Sequence, residues 1–140
     1  MSATQNRSLV ERYFAECVNR VNGPDRAAAL AVVDEVMTAD FVMVYNSAEL
    51  ERGERGPERH KAFLVGHARS YPDDTWTVET LVADEETVAC VWRIDARHAD
   101  SGNRIDVRAA DVFRVNGGRL SELRRFLDFD DLHRQTDAGN

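Results

Sequence analysis

The most informative polar residues in this 140-residue chain are those that interrupt apolar rows. Between 104 and 115, Arg104, Asp106, Arg108 and Arg114 alternate with Ile105, Val107, Ala109, Asp111, Phe113 and Val115. A strand over this segment therefore places a carboxylate, Asp111, in the middle of an apolar face. The next segment repeats the device with Arg125 between Leu123 and Leu127. Taking Asn116-Gly117-Gly118 as a three-residue hairpin loop pairs Val115 with Arg119 and sets Ala109 opposite Arg125. Asp111 is then a diagonal neighbour of Arg125, within reach of its long side chain. Such a carboxylate has two possible uses. It can line a pocket as an acid, a base or an anchor, with a pKa raised by desolvation or lowered by the arginine. Alternatively it is half of a buried structural ion pair, since a buried charge needs a partner. The residues alone leave both open.

Other polar groups share these faces. Tyr13 lies on the apolar stripe of the first helix, where its hydroxyl can enter the same space or serve simply as a satisfied core group. His60 and His67 stand two turns apart on one helix, too far to share a metal ion, as pocket-lining or packed side chains that can titrate. Arg93 and Asp95 fall on the face opposite Cys90, Trp92, Ile94 and Ala96, where a solvent or subunit-interface salt bridge is the default. Asp128, Asp130 and Asp131 read as a solvated chain end. Cys17 and Cys90 sit inside apolar patterns with no CxxC or Cys/His cluster, so both are expected as buried free thiols, not as a disulfide or zinc ligands. No glycine-rich phosphate loop, Ser/His/Asp order or HExxH occurs, and neither a cofactor nor a metal is expected.

The elements that must position these groups follow from periodicity. Residues 1–8 are polar and expected to fray. Leu9, Val10, Tyr13, Phe14, Cys17, Val18 and Val21 have helical spacing, ended by Asn22-Gly23-Pro24. Pro24-Asp25 opens a second helix carrying Ala29, Leu30, Val33, Val36 and Met37. Phe41 to Tyr45 is a short strand, and 46–56 a charged loop. Gly56-Pro57-Glu58 begins a third helix with His60, Phe63, Leu64 and His67 on one stripe, stopped by Tyr71-Pro72-Asp73-Asp74. Strands are predicted over 75–82, 87–98, 104–115 and from Arg119 to about Leu127. Helices first and an antiparallel meander after them make an α+β fold, with the helices packed on one face of a curved sheet.

Composition bounds the rest. Hydrophobic residues form 43% and charged residues 31% of the chain, which is globular composition for one domain. The formal charge of -7 disfavours nonspecific nucleic-acid binding. Short apolar runs and the lack of a basic-then-apolar N-terminal segment lead to an expected cytoplasmic protein with no membrane partner.

Taken together, several blocks resemble the SnoaL-like polyketide cyclases of the nuclear-transport-factor-2-like superfamily, from about Leu9 to Gln135. They are Val10-Glu11-Arg12-Tyr13-Phe14, Gly56-Pro57-Glu58 through Tyr71-Pro72-Asp73, and Asp111 through Val115. The likeness continues through Gly118-Arg119-Leu120 to Asp128-Phe129 and Leu132-His133-Arg134-Gln135. The resemblance implies a single domain over 1–140: a cone-shaped barrel in which a curved, mostly antiparallel sheet wraps around three N-terminal helices. It implies a cavity for a small hydrophobic ligand and a homodimer. Phe14, Tyr45, Phe63, Trp92, Phe113 and Leu123 are the expected ligand-binding residues.

The family's mechanisms map unevenly. The acid/base aspartate of the cyclases aligns with Arg125. The arginine and two aspartates of limonene-type epoxide hydrolases align with Arg93, Asp95 and again Arg125. The oxyanion-hole tyrosine and neutral aspartic acid of ketosteroid isomerase correspond to Tyr13 and Asp111, while its base aligns near Tyr45-Asn46. The expected activity is cofactor-independent acid/base chemistry, aldol cyclisation or isomerisation, on a hydrophobic carbonyl compound. Asp111 or His60 would be the base, with Tyr13 and Arg125 as donors to the developing enolate. A non-catalytic binding protein and an epoxide hydrolase are the alternatives.

Overall fold

A computed structural model describes residues 2–137. The helix begins six residues earlier than composition suggests: α1 (Ala3–Arg12) is held by a capping box. In it the Ser2 hydroxyl accepts from the Gln5 backbone, and the Gln5 side chain accepts from the Ser2 N–H. The helix does not continue regularly. Tyr13–Cys17 form a single π turn and Val18–Arg20 a 3-10 turn. Through these turns Tyr13, Phe14, Cys17 and Val18 all stay buried, so the apolar stripe looks α-helical although the backbone is not.

The second helix, α2 (Arg26–Val36), starts two residues later than expected, with the Asp25 carboxylate accepting from the Ala28 N–H as its cap. It runs directly into β1 (Met37–Tyr45), a strand four residues longer than its β-rich core. The charged loop contains a 3-10 turn (Leu50–Arg52) and the short β2 (Glu54–Arg55), then gives way to α3 (Pro57–Ser70). The meander follows as expected: β3 (Thr75–Ala83), β4 (Thr87–Arg97), β5 (Arg104–Asn116) and β6 (Arg119–Phe126).

The strands form one six-stranded sheet in the order β2-β1-β6-β5-β4-β3, parallel between β1 and β6 and antiparallel elsewhere. It is curved and unclosed. The helices pack on its concave face, over a core that includes Val10, Phe14, Val33, Phe41, Trp92, Phe113 and Leu123. The convex face of β4 and β5 carries charge, with Arg93 paired to Asp106, Arg104 to Asp95 and Asp73, and Arg108 to Glu79. Arg93 and Asp95 thus lie where strand parity put them.

Two expectations are corrected. The β5–β6 loop has two residues, Gly117 and Gly118, both with positive φ, as a type I′ turn requires. Asn116 pairs with Arg119, a bulge follows Arg114–Glu122, and Asp111 comes directly opposite Arg125 instead of diagonal to it. The acidic tail is also no plain chain end. Asp128 caps α4 (Phe129–Asp137) by accepting from the Asp131 N–H, and the helix lies across the end of the sheet. Phe129 meets Tyr45, and the Gln135 amide exchanges hydrogen bonds with the Asp106 backbone N–H and carbonyl.

Backbone packing at two glycines gives a direct test. A Cβ at Gly53 would lie 2.5 Å from a Val42 methyl, 2.7 Å from the Met43 carbonyl and 2.7 Å from a Val44 methyl, whereas nothing lies within 4 Å of one at Gly66 in α3. Gly53→Ala is expected to destabilise by about 1–3 kcal/mol. Gly66→Ala should stabilise by about 0.5–1 kcal/mol. Urea unfolding curves of both variants check the pair.

Candidate functional site

A single cross-strand row builds the polar centre. Tyr45 on β1 pairs with Arg125 on β6, Arg125 with Asp111 on β5, and Asp111 with Cys90 on β4, all turned toward the helices. Asp111 is fully buried and Arg125 is 2% exposed. Their contact is bidentate, Nε to Oδ1 at 2.8 Å and Nη2 to Oδ2 at 2.9 Å. The guanidinium carbon lies 4.8 Å from the centre of the Trp92 ring and 5.4 Å from that of Trp76. Burial works to lower the Arg125 pKa, but the facing carboxylate outweighs it and holds the group above its ordinary value. Arg125 is a fixed cation in an aromatic sleeve.

Tyr13 and His60 form a second buried pair, with the Tyr13 hydroxyl 2.6 Å from His60 Nε2. Phe41 and Phe63 flank the imidazole, and Phe14 and Phe113 stand edge-on to the tyrosine ring. Burial, helped by the Arg125 charge, pushes the His60 pKa down to about 3. Burial likewise raises the Tyr13 hydroxyl well above its usual value. Both groups are neutral and satisfied by each other.

A cavity of about 30 Å³ lies beside the ion pair, lined by His67, Tyr71, Trp92, Ile94, Ile105, Val107, Leu127 and Leu132. That volume suits about one water molecule, and Leu132 brings α4 into its wall. Among the expected ligand-binding residues, Trp92 lines it. Phe14, Phe113 and Leu123 belong to the solid core, with Phe63 and Tyr45 packed against that core. Asp111, Arg125, Tyr13 and His60 are near one another but none reaches the cavity wall. A larger groove, of about 480 Å³, runs past Glu16, Asn19, Arg20 and Asp25 on the outside of the helical layer and meets none of these groups.

Three features of the wall escape a reading by residue pattern. The Trp92 indole N–H is buried without a hydrogen-bond partner among the described residues, as is the Asn6 side-chain oxygen at the far end of α1, and such an omission is costly. His67 faces Asp74, with Nδ1 4.0 Å from Oδ2. Asp74 in turn accepts from Trp76 Nε1 at 2.8 Å and Asn22 Nδ2 at 2.9 Å. Burial raises the Asp74 carboxyl, while those two hydrogen bonds resist the shift. Burial and the Arg125 charge push His67 down to about 4. In the sequence Asp74 reads only as part of the stop after α3. Its nearness to His67 arises from the chain turning back at Pro72, which no spacing rule announces.

Residues 10–123 match the family profile described as the SnoaL-like domain. No curated protein matches the chain. Among solved structures, a candidate SnoaL-like polyketide cyclase from Jannaschia sp. CCS1 superposes with a TM-score of 0.83 at 22% identity, covering 99% of this chain and 95% of that one. TsrD from Streptomyces laurentii gives a TM-score of 0.79 at 19% identity, over 99% of this chain and 98% of its own. An epoxide hydrolase from M. tuberculosis resembling limonene epoxide hydrolase gives 0.72 at 19% identity, over 98% and 92%. At these identities the likeness is one of fold.

The depressed histidines set a pH dependence. The unfolded chain protonates both below about pH 6.5. The folded protein resists until about 3 at His60 and about 4 at His67. Unfolding therefore takes up protons across that window, and each histidine removes about 1.4 kcal/mol of stability per pH unit as pH falls. The melting temperature should decline from about pH 6.5 downward, and His67→Gln should make the decline shallower while leaving the neutral-pH value nearly unchanged.

Proposed function

This chain belongs to the SnoaL-like domain family, and we propose that within it the protein binds a hydrophobic, carbonyl-bearing small molecule without a cofactor, in the cavity beneath α4. On this reading Asp111 and Arg125 are framework, not acid and donor. The observation that carries it is the closed bidentate pair: both Asp111 oxygens are engaged by Arg125, and the pair lies behind the cavity wall. A general base must come within hydrogen-bond reach of the proton it removes. Asp111 would have to break a buried ion pair to do so, at a cost of about 3–5 kcal/mol.

The wall composition supports the ligand class. Ile94, Ile105, Val107, Leu127 and Leu132 offer apolar surface, and the unpartnered Trp92 N–H requires an acceptor such as a carbonyl oxygen. Admission needs α4 to yield. Leu132 of α4 is part of the cavity wall, and the Gln135–Asp106 hydrogen bonds hold the helix down. The epoxide-opening alternative draws no support from Arg93 and Asp95, which are spent on Asp106 and Arg104 at the convex face.

Two outcomes are expected. In urea unfolding, Asp111→Asn and Arg125→Met should each lose about 3–5 kcal/mol, and the double variant Asp111→Leu/Arg125→Met should regain most of it. In a titration with acetophenone, the Trp92 indole N–H resonance, assigned by its loss in Trp92→Phe, should shift saturably. Leu132→Ala, which enlarges the cavity, should lower the half-saturating concentration. An indole resonance that does not respond in either protein would sink the ligand reading.

A further inference from the structure

Two of the residues lining the cavity carry the two kinds of group that enolisation needs, and neither belongs to the buried Asp111–Arg125 pair. Trp92 brings a buried N–H with no partner among the described residues. His67 brings an imidazole whose Nδ1 faces Asp74 Oδ2 at 4.0 Å while the residue itself lines the cavity. Resting on the ligand reading above, we propose that His67 is the general base of this cavity, with Asp74 as its positioning residue and the Trp92 N–H as the donor that holds the oxygen of a ketone ligand.

The geometry is specific to this corner of the fold. Asp74 is fixed by Trp76 Nε1 and Asn22 Nδ2, and its side chain is 5% exposed, so it cannot swing away from the histidine. The His67 ring packs between Tyr71, 4.8 Å away, and Trp76, 5.1 Å away. Trp76 in turn meets Trp92 in a tilted contact at 4.4 Å, so one aromatic chain leads from the base to the donor. A histidine–carboxylate contact of 4.0 Å is looser than a hydrogen bond, as unliganded acid/base pairs often are before a ligand closes them. His67 is neutral at physiological pH, because burial and Arg125 disfavour its charged form, so its lone pair is available.

The step balances without any other reactant. Nε2, the nitrogen that does not face Asp74, takes a proton from the carbon next to the carbonyl. The C–H pair becomes a C=C bond, and the carbonyl π pair moves onto the oxygen, which accepts from Trp92 Nε1–H. Asp74 steadies the imidazolium, offsetting the repulsion from Arg125. Return of the proton, or of a solvent deuteron, to the carbon closes the cycle.

The test is exchange of the methyl protons of acetophenone for deuterium in heavy water, followed by NMR with the full-length protein. The wild type should accelerate exchange over buffer. His67→Gln should lose at least about a hundredfold of that acceleration while the Trp92 resonance still shifts with ketone, and free imidazole should restore part of the rate to His67→Ala. Asp74→Asn should lower the maximum rate without changing the half-saturating ketone concentration. Saturable binding with no acceleration, or full acceleration in His67→Gln, overturns the assignment and leaves the ligand site standing. Absence of any Trp92 shift overturns both.

Discussion

An arginine and a carboxylate buried on the concave face of a sheet constrain everything packed around them. Neither Asp111 nor Arg125 can be left alone there, because an unpaired charge in that environment costs several kcal/mol. Their direct cross-strand register lets both guanidinium contacts form at once. The remaining surface of the cation is covered by two indoles instead of water. Burial keeps the neighbouring histidines neutral, and the same fixed charge adds to that effect. The pair thus sets the electrostatic character of the core without touching the cavity.

The division of labour that follows differs from a simple transfer of the family's chemistry. Tyr13 and His60, which resemble parts of a reaction centre when seen in the sequence, satisfy each other inside the core. The groups with unspent capacity lie one layer away, at the corner where α3 turns into β3 and under α4. There a histidine retains an accessible edge, an indole N–H has no acceptor among the described residues, and apolar side chains surround a small void. The SnoaL-like fold is compatible with several chemistries, so these local groups carry the functional reading and the fold does not.

Much of this architecture was legible in the residues. Alternation in β5 named Asp111 as the inward carboxylate, and the same rule placed Arg93 and Asp95 outside. Helical spacing located the three N-terminal helical regions, and the double glycine located the hairpin. What failed did so for identifiable reasons. A π turn preserves the apolar stripe, so periodicity cannot reveal it. The two-residue loop and the bulge each shift the pairing by one residue, and together they turned a diagonal contact into a direct one. The α4 helix carries so few apolar residues that its polar composition looked like a solvated tail.

The sequence by itself determined which side chains face inward, because a strand's two-residue period and a helix's stripe are local properties of the chain. It therefore pointed to the α+β class, to Asp111 and Arg125 as inward charges, and to the family by resemblance. Tertiary structure alone decided which of the inward polar groups are spent on one another and which are left over. Asp111 meets Arg125 through strand register, Tyr13 meets His60 across 47 residues, and Asp74 meets His67 through a turn. Those meetings depend on how whole elements dock, and hydrogen-bond satisfaction is a property of the packed assembly, not of any segment within it.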